Sequence, residues 1–117
     1  MSTKRILKIN ELLKRELGQL FLKEVEFPKD VLVTITRVDT SSNLREAIVS
    51  ISSLPDSKSK AVQKILSYRI YDLQQEINKK LRMRPIPKII FREEERVGQA
   101  AKIEELLQKI NTEEERS

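Results

Sequence analysis

The hydrophobic period of this chain changes twice within its first 60 residues, and that alternation leaves few folds open to it. Residues 4–25 place apolar side chains every three or four positions, at Ile6, Ile9, Leu13, Leu17 and Leu20, with Leu12 and Phe21 widening the stripe. This spacing predicts an amphipathic helix, for which Ser2 or Thr3 is available as a cap. Gly18 lies inside the run and costs a helix interior about 1 kcal/mol relative to Ala, which points to a close approach or a weak turn. Phe27-Pro28-Lys29-Asp30 stops the helix, because the residue before a proline is pushed out of the α region. The period then falls to two. Residues 31–38, VLVTITRV, are rich in Val, Ile and Thr; Val31, Val33 and Ile35 share one face, and Leu32, Thr34, Thr36 and Val38 the other. After a polar turn at 39–43, residues 44–52 alternate again, with Ala47, Val49 and Ile51 facing one way. A hairpin is the economical reading.

Leu54-Pro55-Asp56-Ser57 breaks the sheet, and the helical period returns from Lys58. Val62, Leu66, Ile70, Leu73, Ile77 and Leu81 stay within an arc of about 100°, one stripe unbroken past residue 70. Pro85 and Pro87 end this helix, and residues 88–92, KIIFR, make a short third strand suited to a sheet edge. Residues 101–110 predict a small helix on Ile103, Leu106, Leu107 and Ile110, before a polar tail expected to be disordered. The expected core is Val33, Ile35, Val49, Ile51, Ile65, Leu66, Leu73, Ile77, Ile89 and Phe91. A chain of 117 residues supports one such core without staples.

Composition removes most chemistry. Cys and His are both absent, which excludes disulfides, thiolate metal sites, the commonest general base and the best nucleophile. Two glycines cannot build a phosphate-cradling loop. Glu93, Glu94 and Glu95 are consecutive and point in different directions, as solvated acids do. No stretch approaches a membrane span, and the N-terminus lacks the apolar core of a signal peptide. These features lead to the expectation of a cytoplasmic, monomeric protein that is not an enzyme, with no cofactor, metal, membrane or small-molecule substrate.

Charge gives the positive signal. Between Lys58 and Arg92 ten Lys and Arg face two acids, Asp72 and Glu76. Residues 1–92 carry +9 and residues 93–117 carry −4, so the overall +5 hides a strongly basic body and an acidic tail. Such a field suits a polyanion, because each cation placed on a phosphate releases condensed counterions. The hairpin strands contain no aromatic residue, which disfavours an RRM-type stacking sheet. The KH design needs basic side chains and close approach more than aromatics, and its type II form runs α-β-β-α-α-β, the order found here with a short C-terminal helix added. A helix-turn-helix reader would require a short second helix that the long 58–82 stripe does not provide.

The residues also resemble a family. VTITRVDTSSNLREAIVSIS at 33–52 is similar to the hairpin motif of ribosome-binding factor A. Arg5-Ile6-Leu7-Lys8-Ile9-Asn10-Glu11 resembles its opening helix, and Phe27-Pro28-Lys29 sits at its usual D-P-R turn. Leu81-Arg82-Met83-Arg84-Pro85-Ile86-Pro87-Lys88-Ile89-Ile90-Phe91 is similar to its L-R-L-R-x-x-P-x-L-x-F segment, and Gly98 with Ile103–Leu107 to its C-terminal helix. The resemblance implies a KH-like RNA-binding domain at 1–96, with residues 97–117 adding a helix that packs on it and an acidic tail. It also implies a factor in small (30S) subunit biogenesis whose partners are 16S rRNA and that subunit. Two alternatives stand beside it: another KH-like RNA-binding module, or a domain that docks an acidic protein.

One departure from the family is visible. Its Ala-x-Gly interruption falls here on Arg69-Ile70-Tyr71, so the 58–82 helix is expected to be straighter, with Arg69 taking over backbone contacts and Tyr71 available to stack on a base. Lys79, Lys80, Arg82 and Arg84 are the leading RNA-binding candidates, the last two matching the family's R-x-R. Cations at a helix C-terminus also suit the helix dipole, which is the competing explanation. Arg5 and Lys8, Arg37 and Arg45, and Lys60 and Lys64 complete the candidate set with Arg69.

Overall fold

The computed structural model describes residues 3–94. The helix expected at 101–110, the acidic tail and the Ser2 cap lie outside them. Within them the 3.6-period stripes and the period-2 runs become α1 (Thr3–Glu24), β1 (Leu32–Thr40), β2 (Glu46–Leu54), α2 (Ser59–Lys80) and β3 (Lys88–Glu93), with a 3-10 turn at Asp56–Lys58. The fold is α+β and KH-like. The two middle helices of the type II order are one uninterrupted 22-residue α2, as the unbroken stripe implies.

The sheet order is β1-β2-β3. β1 and β2 are antiparallel, and β2 and β3 are parallel because α2 supplies the crossover that a parallel pair requires. Ile9, Leu13, Leu17 and Leu20 from α1 join Val62, Leu66, Leu73 and Ile77 from α2 and Ala47, Val49 and Ile51 from β2 in one buried cluster. Val33, Ile65 and Phe91, assigned to the core, are partly buried and pack against that cluster.

One local device changes the strand reading. The β1–β2 register pairs Ile35 with Ile51 and then Arg37 with Ser50, so Thr36 is an extra, bulged residue. The bulged Thr36 donates its hydroxyl to the Glu94 carboxylate, which the fold buries rather than leaving it solvated, and its Oγ1 lies 3.2 Å from the Ser50 carbonyl. Strict alternation puts Arg37 on the face of Val33 and Ile35, and Val38 on the opposite one. The bulge exchanges them: Val38 is buried with Ile35, and Arg37 turns outward.

The connection also shifts. Asp39 and Thr40 belong to β1, and the turn runs through 41–45. Ser41 N–H donates to the Glu46 carbonyl (2.8 Å), and Asn43 Oδ1 accepts from Arg45 N–H (3.0 Å) and Ser41 Oγ (2.6 Å). Leu44, read as a strand residue, adopts a left-handed φ of 62°. That conformation costs a residue with a Cβ about 1–2 kcal/mol, offset here by complete burial of the leucine side chain. Leu44 points inward and leaves Arg45 at the tip.

Gly18 proves not to mark a close approach: a Cβ there meets nothing within 4 Å. It lines an open apolar groove of about 460 Å³ between α1 and the edge strand β1, together with Phe21, Leu22, Leu32 and Ile35.

Candidate nucleic-acid interface

The leading candidates sit where α2 runs out. Lys79 and Lys80 occupy its last turn, where cations complement the negative end of the helix dipole. Leu81 leaves the helix with φ −89° and ψ 136°, its N–H still donating to the Ile77 carbonyl (3.0 Å). Arg84 Nη1 donates to the carbonyls of Met83 (2.8 Å) and Leu81 (3.4 Å). Part of this guanidinium therefore ties down the helix exit, and the remainder faces outward. Arg82 is exposed in the same segment.

Gln74 sets where that segment returns to the sheet. Its Nε2 donates to the Pro87 carbonyl (3.2 Å) and to Asn78 Oδ1 (3.1 Å), while its Oε1 accepts from Ile89 N–H (2.8 Å). β3 consequently begins beside the hairpin tip, with Lys88 N–H donating to the Arg45 carbonyl (2.8 Å) and Lys88 opposite Glu46. At the far edge, Thr40 N–H donates to Asn10 Oδ1 (2.9 Å) and brings the N-terminal half of α1 to the same end. Arg5 and Lys8 extend from there.

One end of the molecule thus collects Arg5, Lys8, Arg45, Lys79, Lys80, Arg82, Arg84 and Lys88, with Arg37 on the neighbouring edge. Among the described residues Arg5, Lys8, Arg45, Lys80, Arg82 and Lys88 form no ion pair within 4.0 Å. Lys79 approaches a half-buried Glu76 at 3.7 Å, and Arg37 approaches Asp39 at 2.9 Å, with Lys79, Arg37 and Asp39 all exposed. Exposed pairs of this kind contribute at most about 1 kcal/mol, so a phosphate can displace either acid.

Three candidates behave otherwise. Arg69, expected to take over backbone contacts to RNA, turns its guanidinium into the fold instead. Its Nη1 lies 3.4 Å from Asp72 Oδ2, and its Nη2 donates to the Glu24 carbonyl (3.1 Å). Glu24 is the last residue of α1, so Arg69 satisfies one of the carbonyls that a helix end leaves open. The cause is helical phase, because Arg69 falls one turn from both Ile65 and Leu73, on the flank of the buried stripe rather than its outward side. Lys60 and Lys64 are exposed but belong to the other end of α2. Lys60 stands about 28 Å along the helix axis from Lys79, at 1.5 Å per residue.

Sequence reading left out three contributors. Lys88 is one cation of the basic surplus in sequence, and only its place at the strand start puts it beside Arg45. Tyr68 shares a helix face with Tyr71 three residues on, a spacing legible in the sequence. Gln74 gave no signal, since its importance depends on where β3 returns. No helix among the described residues is long and apolar enough to cross a membrane.

A mixed three-stranded sheet backed by two long helices, with a cation-rich end built from a helix exit and a hairpin tip, defines a small α+β domain of KH-like fold. A family model described as Ribosome-binding factor A matches residues 5–107. Ribosome-binding factor A of Halothermothrix orenii is 31% identical over 120 residues, spanning 98% of this chain and 95% of the relative. A solution NMR structure of a Thermotoga maritima protein, given as a candidate ribosome binding factor A, has a TM-score of 0.58 at 32% identity, covering 78% of this chain and 84% of that one. The chain belongs to the ribosome-binding factor A family.

Proposed function

We propose that this protein is a non-catalytic, cytoplasmic assembly factor that binds the small ribosomal subunit during maturation of 16S rRNA. Family membership carries this reading. The contact surface is the cationic end, with Lys79, Lys80, Arg82 and Arg84 at its centre and Arg45, Lys88, Arg5 and Lys8 around them. These side chains meet ribose-phosphate oxygens as point charges and forks, and therefore position RNA without reading its sequence. Residues 1–96 act as the RNA-binding unit of a monomer, and neither metal nor cofactor takes part.

The test is sedimentation of tagged protein with free small subunits, mature subunits and whole ribosomes. Wild-type chain is expected to travel with free small subunits, and a variant reversing Lys79, Lys80, Arg82 and Arg84 to Glu is expected to stay at the top of the gradient. A folded charge-reversed variant that still cosediments as the wild type does would remove this surface from the interface.

A further inference from the structure

The outward side of α2 carries more than charge. Lys60, Lys64, Tyr68, Tyr71, Gln75 and Lys79 fall within an arc of about 100° at 100° per residue, directly opposite the buried Val62, Leu66, Leu73 and Ile77. Tyr68 is 75% exposed and Tyr71 71% exposed. Residues three apart on a helix are neighbours, with Cβ atoms about 5–6 Å apart, so the two tyrosines project from the same face. Of the two acids in α2, Asp72 pairs with Arg69, outside the strip, and Glu76 approaches Lys79 at 3.7 Å in a weak pair that a phosphate can displace, so Lys60 and Lys64 keep their full charge.

We propose that this face binds single-stranded RNA, with unpaired bases stacked on Tyr68 and Tyr71 and flanking phosphates met by Lys60, Lys64 and Lys79. The inference rests on the RNA-binding reading above and adds to it a base-contacting strip along α2. Every base offers a π-face, so stacking on two exposed rings holds RNA without selecting sequence. Duplex RNA does not satisfy the strip, since its bases are already stacked and a helix surface reaches only backbone and 2′-hydroxyl groups. A protein partner fits less well than RNA, because Lys is depleted in the centre of protein interfaces while here it alternates with the aromatics. The strip also gives Lys60 and Lys64 a task that the cationic end does not, and the uninterrupted α2 supplies the continuous face it needs.

The chain contains two tyrosines and no tryptophan, so its tyrosine emission reports Tyr68 and Tyr71 alone. Titrating the full chain with oligouridylate, with free N-acetyltyrosinamide as the absorption control, is expected to quench this emission saturably. Tyr68→Ala and Tyr71→Ala are each expected to weaken binding about tenfold, with thermal midpoint and salt slope unchanged, and Tyr→Phe at either position to bind as wild type. Saturable binding with unquenched emission, and alanine variants at wild-type affinity, would overturn the proposal. A chain that ignores oligouridylate but binds structured 16S rRNA fragments overturns the stacking strip and leaves the RNA-binding function standing. Failure to bind either RNA overturns both. Equal quenching by duplex RNA or by poly-glutamate reassigns the face and likewise ends the proposal.

Discussion

Arg69 and Arg82 lie within one basic segment and carry the same side chain, but the fold uses them in opposite ways. Arg69 spends its guanidinium on Glu24 and Asp72 at the junction of α1 and α2. Arg82 emerges beyond α2 with no acid within 4.0 Å among the described residues. The difference comes from phase. Arg69 falls on the flank of an apolar stripe and faces the neighbouring helix, whereas Arg82 follows the point where the backbone leaves helical dihedrals and no stripe governs it. Charge density alone therefore overstates the surface available to a polyanion. The junction converts cations into structure, and the cationic end leaves them to solvent.

The comparison breaks most visibly at Gln74, the side chain that builds the cationic end without carrying charge. Gln74→Ala leaves the Ile89 N–H and the Pro87 carbonyl without their partner in a part-buried position, and is expected to cost about 1–3 kcal/mol in urea unfolding. It should also weaken binding to 16S rRNA fragments, because Lys88 loses its fixed place beside Arg45. Unchanged stability and binding would show that β3 holds its position by sheet pairing alone. Arg69→Ala is expected to have a smaller effect, about 1 kcal/mol, since the side chain is 38% exposed and its ion pair is screened. Its salt slope in RNA binding should equal that of the wild type. A slope reduced by about 1 would return Arg69 to the interface and erase the contrast with Arg82.

Much of this arrangement is legible before any coordinates. Two long stripes and a period-2 pair place α1, β1, β2 and α2, the apolar run after Pro87 places β3, and the continuity of Val62, Leu66, Leu73 and Ile77 announces one helix. The cations of the α2 exit are readable because they follow the stripe. Other features depend on pairing and contact. The bulge at Thr36 exists only against β2, and it decides that Arg37 faces outward and Val38 inward. Leu44 takes a positive φ because burial of its side chain outweighs the strain, a trade that local propensity does not reveal. Arg69 looks free in sequence because its partner, the Glu24 carbonyl, lies 45 residues away in the chain. The gathering of Arg5, Lys8, Arg45 and Lys88 onto one end likewise follows from strand order, which composition does not contain.

The salt dependence of binding tests most directly whether Lys79, Lys80 and Arg82 engage phosphates together. With 16S rRNA fragments, replacing all three by Ala is expected to lower the slope of log K against log salt by about 2–3, at an unchanged thermal midpoint. A folded triple variant whose slope matches the wild type would contradict the account.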